Sequence, residues 1–284
     1  MWEPASAKQD ERIRSAAMSI IVNKIGQLEY LTAQGISVPH CFTTRYGGVS
    51  EGNLASLNLG TRRGDRPENV VRNFDILGDT IGFDSRKLVL THQTHTDIVL
   101  RVGEPEAGAG LFRPELPECD GLITNTPGIG LAVFTADCTP ILLWDPETGA
   151  VGAAHAGWRG TASQIGRKTV EAMTAAFGCR PERIRAAIGP NIGPCCFETH
   201  GDVPEAMIAS LGMEAEQFIT AKGEKFYVNL KGINRLILQR AGVERIEVST
   251  DCTACQPERF WSYRRVGTAR GAQGAMIVCK EGTM

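Results

Sequence analysis

The chain has no apolar run approaching the length of a membrane span, so no transmembrane helix is expected. Nor is there a surplus of either charge. Lys and Arg number 30 against 32 for Asp and Glu, giving a net charge of −2. The basic residues are scattered, which argues against the basic stripe of a nucleic-acid binder. Met1 to Arg14 is a mixed-charge stretch with no apolar signal region or cleavage site after it, so a cytoplasmic chain is expected. The familiar phosphate-cradling glycine motifs, internal repeats, low-complexity tracts and linkers are all missing, and one domain is the expectation.

Cysteine is not scarce, but it lacks the pattern of a disulfide framework. The nine cysteines are an odd number spread through unlike contexts in a long chain, so most read as small buried hydrophobes. Cys252-Thr253-Ala254-Cys255 reads as a pair of packing thiols, because structural zinc wants a second pair or histidines nearby and none follows. Cys195-Cys196 adjoins a tight turn and reads as part of a pocket wall.

What the chain does have is a dense series of short β segments. Residues 28–31, 40–44, 87–90, 97–102, 121–124, 130–135, 140–144 and 150–154 are short and apolar, β-branched or aromatic, and turn residues separate them. Helices are expected over 164–177, ended by Gly178, and over 204–211 and 228–241, with strands at 184–188, 246–249 and 275–279. Residues 8–22 have weak helical character. Strand runs without regular βαβ alternation predict an α+β fold.

Three stretches carry metal-capable side chains beside these strands: His92-Gln93-Thr94-His95, Ala136-Asp137-Cys138 and His155-Ala156-Gly157. Asp145-Pro146-Glu147-Thr148-Gly149 is a hairpin turn signal. A hairpin closed there brings Cys138 and His155 together at its open end, and Gly157 permits close approach. A third ligand must then arrive from a neighbouring loop, where His92 and His95 compete. His40 and His200 read as surface or turn residues. Two imidazoles and a thiolate leave a fourth position open, as in catalytic zinc sites. Thr44-Arg45 before Gly47-Gly48 offers a guanidinium and backbone N–H groups to an anion.

Thr43-Thr44-Arg45-Tyr46-Gly47-Gly48, Leu57-Asn58-Leu59-Gly60, Gln93-Thr94-His95, Asp120-Gly121-Leu122-Ile123-Thr124, Ala136-Asp137-Cys138, His155-Ala156-Gly157-Trp158-Arg159-Gly160, Pro194-Cys195-Cys196-Phe197-Glu198 and Ser262-Tyr263-Arg264-Arg265 occur in that order. With them the chain resembles the bacterial YfiH/YlmD-like family, also called the polyphenol oxidase or laccase-domain family, whose eukaryotic relative is FAMIN. The resemblance runs from about Thr43 onward. It departs at Thr94, where many relatives carry Val, and at Arg270-Gly271, where the usual order is reversed.

The resemblance implies zinc on His95, Cys138 and His155. It also implies a single α+β domain over 23–284, with 1–22 an N-terminal extension, built as a β-sandwich flanked by helices and related to cysteine hydrolases. The implied activity is phosphorolysis of adenosine, inosine and methylthioadenosine to base and ribose 1-phosphate or its methylthio analogue, with adenosine deamination. Its small-molecule partners would be purine nucleosides and phosphate, with neither nucleic acid nor membrane involved. Cys138 is then catalytic through the metal, and Asp120 and Asp137 are candidate proton carriers. Arg45, Arg159 and Arg264 are candidate phosphate ligands, with Asn58 and Gln93 as further substrate contacts. Three rival readings stand beside this one. A copper-dependent polyphenol oxidase suits the family's older name, although a multicopper laccase needs more imidazoles than the five histidines present. The other two are a hydrolase editing a peptidoglycan precursor and a metal-storing protein without turnover.

Overall fold

The structure is a computed structural model and describes residues 20–280. The helical character expected over 8–22 falls outside this range up to residue 19, and Ile20 to Val22 open a strand that pairs with the next one.

In chain order the early strands are β1 (Ile20–Ile25), β2 (Leu28–Ala33), β3 (His40–Thr43), β4 (Leu88–Leu90) and β5 (Val99–Arg101). The central ones are β6 (Gly121–Thr124), β7 (Gly130–Thr135), β8 (Thr139–Trp144), β9 (Val151–Ala156) and β10 (Arg185–Ile188). Then come β11 (Glu198–Thr199), β12 (Ile219–Lys222), β13 (Lys225–Val228), β14 (Arg245–Val248) and β15 (Gln273–Val278). The helices are α1 (Pro67–Ile81), α2 (Trp158–Ala162), α3 (Ile165–Phe177), α4 (Asp202–Leu211), α5 (Leu230–Arg240) and α6 (Tyr263–Val266).

Two six-stranded sheets, β1-β2-β3-β15-β7-β4 and β14-β10-β8-β9-β6-β5, pack face to face. Strand periodicity explains the layering. Leu131, Val133, Ala275 and Ile277 of the first sheet meet Leu142, Trp144, Val151 and Ala153 of the second. Their neighbours Ala132 and Met276 turn outward onto Val70, Phe74 and Leu77 of α1. Ile141, Leu143 and Ala154 turn outward onto Ile165, Val170 and Met173 of α3. Strands covered on both faces read as continuous apolar runs, which is why the central ones are the plainest in the sequence. The result is an α+β sandwich with helices on both outer faces.

No element was expected between Gly60 and Lys87, where α1 lies. Its signals are ordinary ones: Pro67 in the first turn, apolar residues at 70, 74 and 77, and Gly82 closing it in the left-handed conformation at φ 90°. The small sheet β11-β13-β12 was also not expected; it lies beside α4 and α5, which share their own apolar cluster. His40, expected at the surface, is buried on β3. Its ring is satisfied there, with Nε2 accepting from the Ala33 N–H at 2.8 Å and Nδ1 at 2.8 Å from the Val38 carbonyl. His200 is exposed. Among the described residues, no helix is long and apolar enough to cross a membrane.

The chain passes from one sheet to the other at two points that matter below. One is the loop between β4 and β5, and the other is Ala136-Asp137-Cys138 between β7 and β8.

Candidate metal centre

Both crossings deliver a side chain to the same rim of the sandwich. The β8–β9 hairpin pairs Pro140 with His155, so Cys138, two residues before Pro140, lies beside the end of β9. Gly149 closes the hairpin at φ 71° and donates its N–H to the Asp145 carbonyl. His95 arrives from the β4–β5 loop. A nitrogen from each imidazole and the Cys138 sulfur all lie within 4.8 Å of one another, and the two rings meet edge-on with centroids 4.9 Å apart.

Two of the residues shaping this corner hold left-handed backbones without being glycine: His95 at φ 64° and Asp137 at φ 93°. Such conformations persist only where surrounding contacts fix them. Asp120 does so for His95. Its fully buried carboxylate accepts the N–H groups of Thr94, His95 and Thr96 and the Thr96 hydroxyl, at 2.8–3.2 Å. Asp137 is fixed by the Ile192 N–H on its carbonyl and by Thr253, Ser262 and the Arg264 N–H on its carboxylate.

Asp120 also accepts from His155 Nδ1 at 2.6 Å, leaving His155 Nε2 as the free ring nitrogen on the trio. A carboxylate behind an imidazole in this way fixes its tautomer and raises its basicity toward a metal. Burial would raise the Asp120 carboxyl, but His155 and the Thr96 and Thr94 N–H groups outweigh it and hold it down at about 2. Burial would lower His155, yet Cys138 and Asp120 lift it to about 9, so without metal the imidazole holds a proton that a bound metal ion would displace. His95 is pushed down, first by burial and then by the charge of His155, and stays neutral as a ligand must be. One thiolate and two oriented imidazoles form a donor set that fits zinc, and the buried carboxylate supplies the outer support such sites use.

A Cβ on Gly157 would stand 2.5 Å from His95 Nδ1 and 3.4 Å from the Cys138 sulfur. Gly157→Ala is therefore expected to displace the His95 ring and empty the trio of metal. Metal analysis of the folded variant checks this. For Asp120→Asn we expect a roughly 10–100-fold loss of metal affinity, read by competition with a chelator.

Two hollows meet at the trio, sharing His95, Ala136, Cys138 and Arg270 in their walls. One, of about 200 Å³, is polar, with Arg62, Arg63, His92 and Gln93. The other, of about 310 Å³, is lined by Trp158, Ile192, Phe197, Leu230 and Tyr263.

Residues 39–280 match the family described as multi-copper polyphenol oxidoreductase laccase. The chain belongs to this family, that of YfiH and YlmD. It is 41% identical over 251 residues to the purine nucleoside phosphorylase of Deinococcus radiodurans, covering 88% of this chain and 92% of that protein. It is 38% identical to the purine nucleoside phosphorylase YlmD of Bacillus subtilis, covering 84% and 88% of the two chains. The crystal structure of YlmD from Geobacillus stearothermophilus superposes with a TM-score of 0.86 at 34% identity, covering 92% of this chain and 100% of that one.

Not every residue expected to touch substrate in this YfiH/YlmD chain is free to do so. Arg45 is spent on the fold: Nε and Nη2 donate to the Ala55 carbonyl, Nη1 to that of Pro257, and the guanidinium lies 3.8 Å over Trp261. The N–H groups of Gly47 and Gly48, expected to face an anion, donate to the Ser56 hydroxyl. Asn58 is fully buried, accepting from Gly60 and Ala272 and donating to Asp65. Gln93 bonds the N–H and carbonyl of Phe134, tying the His95 loop to β7 while it lines the polar hollow. The Arg264 guanidinium holds the carbonyls of Cys196 and Glu198 while lining the apolar hollow. Arg159 is exposed and lies 4.2 Å over Trp158. His92 is outside the trio, its Nδ1 3.2 Å from the Leu116 carbonyl.

One residue of the site, Arg270, was not expected there, because its Arg-Gly order departs from the family pattern. It lies in the walls of both hollows, and its buried Nε meets no acceptor among the described residues. Burial, and then the like charge of Arg63, bring its pKa down to about 10, as befits a cation short of an anion.

Proposed function

We propose that this chain is a zinc-dependent purine nucleoside phosphorylase of the cytoplasm, acting on adenosine, inosine and methylthioadenosine, with adenosine deamination as a companion activity. The observation that carries the reading is Arg270: a half-buried side chain whose buried Nε meets no acceptor among the described residues, at the junction of a basic and an aromatic hollow beside the trio.

Phosphorolysis needs an oxyanion held against C1′ of the ribose. Arg270, with Arg63 nearby, supplies a planar, desolvated donor for that anion. Trp158, Phe197 and Tyr263 in the apolar hollow offer flat surfaces to the purine. In the reaction a phosphate oxygen bonds to C1′ as the bond from C1′ to the purine nitrogen breaks, and the departing base takes up a proton. His95, Cys138 and His155 would hold the metal, which when bound acts as a Lewis acid toward substrate oxygen or water. Asp120 keeps His155 in the tautomer that leaves Nε2 available and remains ionised itself. Asp137, its carboxylate saturated by Thr253, Ser262 and the Arg264 N–H, positions Cys138.

Copper is the alternative suggested by the family's description. The chain has five histidines in all, and of the three outside the trio His40 is committed to backbone, His200 is exposed and His92 lies by the Leu116 carbonyl, so the several imidazoles of a multicopper cluster are lacking. The deciding assay incubates metal-quantified enzyme with adenosine or inosine, with and without phosphate. Free base and ribose 1-phosphate forming only with phosphate is the expected outcome. Base release at the same rate without phosphate, or no turnover, would remove the assignment.

A further inference from the structure

The two cysteine motifs, one read from sequence as part of a pocket wall and the other as packing thiols, converge in space. Cys195, Cys196, Cys252 and Cys255 place all four sulfurs within 4.8 Å of one another. Cys195 and Cys196 lie 3.5 and 3.4 Å from the Cys255 sulfur, and all four thiols are free. A disulfide would need about 2.05 Å. Four thiolates around a tetrahedral zinc with bonds of about 2.3 Å would stand about 3.8 Å apart, within the range seen.

We infer that these four cysteines form a second, closed metal site holding a structural zinc ion. The local chemistry is that of a tetrathiolate. The Gly193 N–H donates to the Cys252 sulfur at 3.1 Å, and a backbone donor of this kind spreads thiolate charge. A side chain at Gly193 would crowd the cluster, since its Cβ would lie 3.2 Å from the Cys195 sulfur and 3.4 Å from that of Cys252. Lys231 is buried alongside, with its ammonium donating to the Asp251 carbonyl, and adds a positive charge near a zinc–tetrathiolate centre that is net anionic.

The position suggests what the ion does. It would staple the turn at 193–196 to the turn at 252–255, segments otherwise linked through the bridge between Asn191 and Cys252 and the Gly193 contact. Both support the candidate metal centre from behind. Thr253 bonds the Asp137 carboxylate at 2.6 Å, and Ile192 bonds the Asp137 carbonyl at 2.9 Å. Phe197, next to Cys196, walls the apolar hollow. With no open corner, the site would hold structure and do no chemistry.

The test is metal stoichiometry on untagged protein purified under reducing conditions from zinc-replete medium. Wild type should carry two zinc ions per chain, Cys138→Ala one and Cys255→Ser one. X-ray absorption on Cys138→Ala should show an all-sulfur shell at about 2.3 Å. Should Cys255→Ser fail to fold, native wild type answers alone, its four thiols resisting alkylation until zinc is stripped by a chelator. A single zinc in wild type with these thiols reacting freely would overturn the inference. So would disulfides among them, or iron in their place. None of these outcomes bears on phosphorolysis, which the nucleoside assay reads separately.

Discussion

Replacing Cys138 by Ala is expected to remove one metal ion per chain and to lower turnover of every nucleoside by at least ~10³-fold. The thiolate is the only anionic donor in the trio, so its loss leaves two neutral imidazoles facing a dication. Three protein ligands are already the minimum of a catalytic zinc site, and two do not hold one at neutral pH. The several kcal/mol of transition-state stabilisation that a Lewis acid supplies would go with it. Stability should change little, because Cys138 is only half-buried and Asp137, which fixes the turn, keeps its own contacts. Parallel measurements of metal content, kcat and Tm check this. Full turnover in a metal-free variant would rule out the trio as the reaction centre.

Arg270→Ala should separate the proposed phosphorolysis from the proposed deamination. The variant loses a guanidinium that lies in the walls of both hollows, and with it the about 1.5–3 kcal/mol of charge-assisted hydrogen bonding that we propose it gives phosphate. That corresponds to a roughly 10–100-fold fall in kcat/KM for phosphate. Deamination as proposed needs no phosphate and should fall far less. Arg45→Ala is the contrast: its guanidinium holds Ala55 and Pro257, so we expect a lower Tm with the phosphate KM unchanged. Steady-state kinetics with phosphate as the varied substrate would check both. An equal effect of the two substitutions on phosphate KM would contradict the division drawn between them.

Much of the sandwich is legible in the sequence because its central strands, covered on both sides, are unbroken apolar runs such as Pro140 to Trp144. The hairpin turn at Asp145 to Gly149 then determines which strand ends meet, and so pairs Cys138 with His155. The helix α1 carries readable signals, a stripe of Val70, Phe74 and Leu77 with Ile81 beside it, Pro67 at its start and Gly82 at its end, and these are enough to predict it although no element was expected there. Arginine roles are the least legible. Arg45 and Arg270 differ in what surrounds them: the Ala55 and Pro257 carbonyls and the Trp261 ring occupy the first, whereas the second gives Nη1 to the Gly271 carbonyl and keeps its Nε unpartnered between two hollows. No local pattern encodes that difference.

The cysteines teach the same lesson. Cys252 and Cys255 read as packing thiols because no second pair follows them, yet the partners precede them, at Cys195 and Cys196. Only the fold brings the two turns together.

The most direct measurement is a zinc-edge anomalous difference map from crystals of the chain grown with phosphate. A peak is expected at bonding distance, about 2.0–2.3 Å, from His95, Cys138 and His155, with a non-protein ligand at its fourth position and phosphate against Arg270. A map with no peak among those three side chains, or with a fourth protein ligand closing the site, would contradict it.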